Sequence, residues 1–174
     1  RGSPRLDPAR HQRVRLMRAF LVVFVSACAA AQHAPGPQTA TFLSDIDNSE
    51  QPYGLYVPKN YDAAKKYPVV ISLHDADSNH GLNLRRVLGV ASRLSEFDIQ
   101  SVRSFPRIRD VDFIVAAPLA RGTMGYKGIA EQDVYDVLAD LRRKFHVDTD
   151  RVYLTGIGMG ASGALRLAAT RPDI

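Results

Sequence analysis

A single cysteine, Cys28, stands among 174 residues. That excludes a scaffold stapled by disulfides. Internal repeats and low-complexity tracts are missing as well. With 45% hydrophobic and 24% charged residues, the chain is neither disordered nor collagen-like. Its length and composition suit one domain with a real core. An excess of charge is also missing from the body. The formal net charge is +5 and the pI near 9.6, figures that invite a nucleic-acid partner. Residues 1–18, however, hold six arginines (Arg1, Arg5, Arg10, Arg13, Arg15, Arg18) against Asp7 alone, and residues 19–174 balance 17 bases with 17 acids. The basicity belongs to the leader and gives no support for nucleic-acid binding.

A bilayer-crossing run is absent from that leader. Ala19–Ala31 is apolar over 13 residues, whereas a hydrocarbon layer of about 30 Å needs roughly 20. A basic flank, a short apolar core and a small-residue end describe a signal peptide, so residues 1–31 are expected to direct export, to the periplasm or outside the cell. Cleavage after Ala31 fits the small-x-small pattern. Val25-Ser26-Ala27-Cys28 also resembles a bacterial lipobox, which would make Cys28 a lipidated N-terminus. The plainer alternative is an ordinary signal with an incidental cysteine. Met17 is a candidate start, with residues 1–16 then being upstream sequence. Residues 32–50, rich in Gln, Pro, Gly, Ser and Asp, read as a linker, leaving 51–174 as the folded domain.

Within that domain, short apolar runs alternate with helical patterns. Tyr53–Val57 reads as a short strand stopped by Pro58. Tyr67–Leu73, Val111–Ala117 and Arg151–Thr155 read as strands buried on both faces. Leu84, Val87, Leu88, Ala91 and Leu94 follow helical spacing, as do Val134, Val137, Leu138, Leu141 and Phe145. The last helix has Glu131 and Asp133 first and Arg142, Arg143 and Lys144 last, as the helix dipole favours. Ala161–Thr170 reads as a further helix, stopped by Pro172. Alternating strands and helices imply a parallel α/β sheet, with ligands beyond the C-terminal strand ends. The segments 74–81 and 156–163 therefore matter most.

Gly156-Ile157-Gly158-Met159-Gly160 joins a strand to a helix. Small residues at 156 and 160 allow close packing around a sharp turn, the geometry of a G-x-S-x-G nucleophile elbow. Asp150–Gly156, this turn, Arg171-Pro172-Asp173, Tyr56-Val57-Pro58, Tyr67–His74 and the Asp133–Leu141 helix together resemble the α/β-hydrolase superfamily. Within it the chain is most similar to secreted esterases of the polyhydroxybutyrate-depolymerase and feruloyl-esterase-like group, which borders the prolyl-oligopeptidase-type hydrolases. The resemblance covers roughly residues 50–174. It implies an α/β-hydrolase-like parallel sheet with flanking helices and no cofactor. The implied reaction is acyl transfer to a serine, then hydrolysis, on a small-molecule or polymer carboxylic ester.

The departures fall where that chemistry would happen. The nucleophile position is Gly158, which has no Oγ to form an acyl-enzyme. Glycine suits the strained backbone of such a turn, so the fold is expected to survive. The oxyanion loop, His-Gly in the family, is here His74-Asp75-Ala76. Its backbone N–H would join that of Met159 at an oxyanion, and Asp75 brings an opposing charge. His74 is expected to line the substrate site. The family's acid and histidine follow the elbow, yet the residues after Gly158 include Asp173 and no histidine. A C-terminally truncated domain is therefore expected, with no esterase activity of its own. The alternative from another class is a binding pseudoenzyme that keeps the cleft.

Other readings compete for the same residues. Gly158-Met159-Gly160-Ala161-Ser162-Gly163 fits the dinucleotide pattern G-x-G-x-x-G, but late in the domain and without room for the acid about 20 residues on. His74, Asp75, Asp77 and His80 are metal-ligand types with nothing to fix a geometry; a polar loop suits them better. Asp148 and Asp150 read as turn residues and His146 as a surface or C-cap residue. Ser162 lies one turn into the helix, pointing away from the elbow. Thr123, Met124 and Tyr126, in the glycine-rich loop 119–128, are candidates to line a substrate cleft.

Overall fold

The computed structural model describes residues 34–89 and 110–172. The leader with Met17 and Cys28, the helical positions Ala91 and Leu94, and Asp173 lie outside the described residues. Five strands form one sheet: β1 (Gly36–Leu43), β2 (Glu50–Val57), β3 (Tyr67–Leu73), β4 (Ile114–Pro118) and β5 (Val147–Gly156). Their spatial order is β1-β2-β4-β3-β5. The helices are α1 (His80–Val87), α2 (Ile129–Lys144) and α3 (Met159–Thr170).

The sheet is mixed: the expected parallel pairing is seen where β3 pairs with β4 and β5, and β2 runs antiparallel to both β1 and β4. The expected linker is corrected. Residues 36–43 pair with β2 along their whole length, Gly36 opposite Val57 and Leu43 opposite Glu50. Ala40 and Phe42 turn inward while Thr39 and Thr41 face solvent, the period-two pattern of a half-buried strand.

β3 lies inside the sheet between β4 and β5, covered on both faces, and its sequence shows why. Val69, Ile71 and Leu73 point to one face and are essentially inaccessible. They meet Ile114 and Ala116 of β4, Val134, Val137, Leu138 and Leu141 of α2, and Leu167 of α3. On the other face Val70 joins Val115 and Ala117 of β4 and Leu84 and Leu88 at α1. A sheet with helices on both faces buries both sets of alternating side chains, so the strand reads as an unbroken apolar run. At β2, a Cβ on Gly54 would meet His80 O at 2.8 Å and Leu84 Cβ at 2.9 Å. This glycine lets α1 lie against the strand.

β5 departs from the expected doubly buried strand. It is the edge of the described sheet, Tyr153 is 54% exposed, and the strand alternates half-buried with exposed residues. Its first residues bulge: Val147 opposes Tyr67 while Val152 opposes Val69. Asp148 and Asp150 lie in this bulge rather than before the strand. The Asp148 carboxylate accepts from the Asp150 N–H at 3.2 Å and from Arg151 Nε at 2.6 Å. β4 begins at Ile114, three residues later than the apolar run suggests.

α1 owes its start to Asn79, whose Oδ1 accepts from the N–H groups of Gly81 and Leu82, each at 3.0 Å. Two donors that a helix start leaves unmet are satisfied this way. Asn79→Ala is expected to cost about 1 kcal/mol, read as a lower urea midpoint with an unchanged slope.

Candidate active site

The C-terminal ends of β3 and β5 converge on the turn Gly156–Gly160. A Cβ on Gly156 would collide with the Gly160 carbonyl, and a Cβ on Gly160 would collide with the backbone of Leu73 and with His74 O. Both positions are therefore glycine for space, as the sequence pattern required. Gly158 stands between them at φ 54°, ψ −118°, in a region that Cβ-bearing residues avoid. It is exposed and caps α3. This is the strand–turn–helix geometry expected for a nucleophile position.

The loop after β3 lies against the turn. The Met159 N–H donates to Asp75 Oδ1 at 2.9 Å, and the Ala76 N–H donates to the same oxygen at 2.8 Å. The first is the donor that the resemblance implies for an oxyanion, and the second belongs to the loop expected to supply its partner. The Met159 and Ala76 N–H bonds hold the Asp75 carboxyl below the usual carboxylate range, with nearby Arg86 and His74 adding to the effect against a smaller opposing cost of burial.

Two expected substrate residues are corrected. His74 is fully buried, and both ring nitrogens face carbonyl oxygens, Nδ1 that of Asp75 at 2.7 Å and Nε2 that of Leu119 at 2.9 Å. It ties the loop after β3 to the end of β4 and presents no atom to a cleft. Tyr126 is 1% exposed. Its hydroxyl donates to His74 O at 3.1 Å, and its ring lies edge-on to the His74 ring. It also packs against Gly163, where a Cβ would come within 2.6 Å of the Tyr126 ring. The glycine-rich loop thus contributes a buried strut beneath the site. Thr123 and Met124 of the same loop are exposed, as is Ser162 on α3. His146 is exposed just past the end of α2, its N–H donating to the Tyr61 hydroxyl at 3.2 Å.

His80, the first residue of α1, carries a buried Nδ1 without a hydrogen-bond partner. Burial, and secondarily the neighbouring His74, push its imidazole below the ordinary value. Among the described residues no three His, Cys, Asp or Glu side chains converge on a metal-sized site. One residue that sequence reasoning passed over is Asn83. Buried on α1, it donates through Nδ2 to Ser72 O at 2.8 Å and Ser72 Oγ at 3.0 Å, anchoring the helix to β3 just before the loop. A polar residue inside an apolar helical stripe was its only signal.

Comparisons with known proteins give the family and the fold. A family model for esterases, described as "Putative esterase", matches residues 44–174. The chain belongs to the esterase family. Solved structures similar to it share its α/β-hydrolase fold. A thermostable esterase is 22% identical with a TM-score of 0.55, over 79% of this chain and 38% of that one. A ferulic acid esterase from Anaeromyces mucronatus, in complex with ferulic acid, is 20% identical with a TM-score of 0.54, over 83% and 57%. An S-formylglutathione hydrolase from Agrobacterium tumefaciens is 19% identical with a TM-score of 0.53, over 81% and 56%. The chain thus spans between about two-fifths and three-fifths of the length of these structures. A search of curated proteins finds no match.

Proposed function

We propose that this member of the esterase family carries the elbow and oxyanion loop of an exported serine-type hydrolase of carboxylic esters, and that the chain as it stands does not turn esters over. The observation that carries the first part is the Gly156–Gly160 turn, with Gly158 at φ 54° beside the Met159 N–H within the matched family segment. Export rests on the leader's basic flank and short apolar core. The second part rests on chemistry. Gly158 offers no oxygen to attack an acyl carbon, and an anionic Asp75 occupies the donors that would stabilise the intermediate. The same occupation favours the pseudoenzyme alternative over slow residual catalysis.

The test is hydrolysis of p-nitrophenyl acetate by the purified chain. Release of nitrophenolate is expected at the buffer rate, with Ser162→Ala indistinguishable from the parent. Turnover above buffer that survives Ser162→Ala would overturn the reading. Turnover lost in Ser162→Ala would move the nucleophile to α3.

A further inference from the structure

Gly158 and Asp75 are separate departures in sequence, 83 residues apart, but they are one feature in space. A Cβ built on Gly158 would fall among the Asp75 carboxylate atoms, Oδ1, Oδ2 and Cγ being its three nearest neighbours. The volume that a side chain at 158 would need is filled by Asp75. The same carboxylate draws in the N–H groups of Met159 and Ala76. We propose that Asp75 is a built-in plug of the elbow: its carboxylate stands where an oxyanion would be held, and it and a side chain at position 158 exclude one another. The proposal rests on the esterase reading above and deepens it. The missing serine and the closed oxyanion donors are therefore a single coupled feature.

The exclusion is steric first. A side chain at 158 cannot rotate away from its own Cβ, so the carboxylate must leave. When it leaves, it abandons two N–H bonds, one from Met159 at the start of α3 and one from Ala76 in its own loop. The electrostatics point the same way. An ionised carboxylate is a good guest for backbone N–H groups at a helix start. The charged and titratable groups near it are Arg86 and His74, with His80 beyond them on α1. In the absence of Asp75, the room at 158 is open and the donors are free.

The test is a double-mutant cycle on the whole chain with Gly158→Ala, Asp75→Gly and both together, following the melting temperature, with the amide resonances of Met159 and Ala76 followed across acid pH. Alanine at 158 adds one Cβ and carries the same positive-φ strain in either background, so that strain cancels in the cycle. Gly158→Ala is expected to lower the melting temperature by at least about 3 °C more when Asp75 is present than when it is glycine. In the parent both amides should shift together as the Asp75 carboxyl titrates, with a midpoint below that of an ordinary aspartate. In Gly158→Ala that shared titration should vanish. Equal losses in the two backgrounds, or a parent whose Met159 amide ignores the carboxyl, would overturn the proposal. The parent titration decides even if a variant does not fold. Neither readout involves ester turnover, so the plug and the esterase reading fail separately.

Discussion

Gly160→Ala is expected to destabilise the domain by about 3 kcal/mol, at the upper end of what overpacking costs. By helix propensity alone the sign would be reversed, since alanine is the better helix former by about 1 kcal/mol. What decides it is the neighbour. The added Cβ lands on the Leu73 carbonyl and beside His74 O, and these are backbone atoms at the end of β3. No side-chain rotation relieves the contact. Either α3 lifts from the sheet or β3 shifts, and both loosen the elbow and the burial of Leu167. Gly81→Ala is the internal control. It too sits near a helix start, but its Cβ would meet nothing closer than Asn79 Oδ1 at 3.5 Å, an ordinary contact. That substitution is expected to be neutral or stabilising by up to about 1 kcal/mol. Urea unfolding followed by far-ultraviolet circular dichroism measures both. A neutral Gly160→Ala would mean that the turn is looser than its geometry indicates.

The glycines of the elbow also show what a sequence can and cannot reveal here. Gly156 and Gly160 were legible because the need for them is local: a strand, a tight turn and a helix within five residues. β3 was legible to the residue, Tyr67–Leu73, because an interior strand covered by helices is apolar on both faces whatever its partners are. β1 was not, since half of its residues face solvent and Gly36 and Pro37 hide the rest. Its strand character comes from β2. The error at β5 is the converse. Val152, Tyr153 and Leu154 have the composition of a buried strand, but burial is set by what lies alongside, and in the described sheet nothing flanks that edge. Tyr126 and His74 misled for a related reason. Polar-tipped rings in the loops after strands suit a cleft and a buried strut equally, and only the approach of Gly163 to Tyr126 and of the Leu119 carbonyl to His74 distinguishes them. The position of the Asp75 carboxylate depends on a contact with Met159 across 84 residues, and no local pattern encodes it.

Removing the guanidinium in Arg121→Ala is expected to cost about 3–5 kcal/mol, the range for stranding one partner of a buried pair. Arg121 forks onto Asp133, with Nε to Oδ2 at 2.7 Å and Nη2 to Oδ1 at 3.1 Å. Its other edge meets Asp47 in the turn between β1 and β2. The Asp133 side chain is 1% exposed and that of Arg121 is 14% exposed. One cation therefore joins three segments: the β1–β2 turn, the loop after β4 and the first turns of α2. Without it, the Asp133 carboxylate is left buried with no counter-charge. Arg121→Lys should recover only part of the loss, because a point charge cannot reproduce the two-pronged fit. Adding Asp133→Asn to Arg121→Ala should recover more than Arg121→Lys does, since it removes the stranded charge itself. The pH dependence has a definite sign. The hydrogen bond from Arg121, and secondarily that from Ser49, hold the Asp47 carboxyl well below the ordinary 3.8. A folded-state value lowered in this way gives stability that is present above the unfolded value and lost as pH falls through the folded one. The gap between parent and Arg121→Ala should therefore be widest near neutrality and narrow in acid. A gap that stays constant from neutral pH into strong acid would show that the pair with Asp47 contributes nothing. A small gap at neutral pH would show that the fork onto Asp133 is no better than its replacement by water.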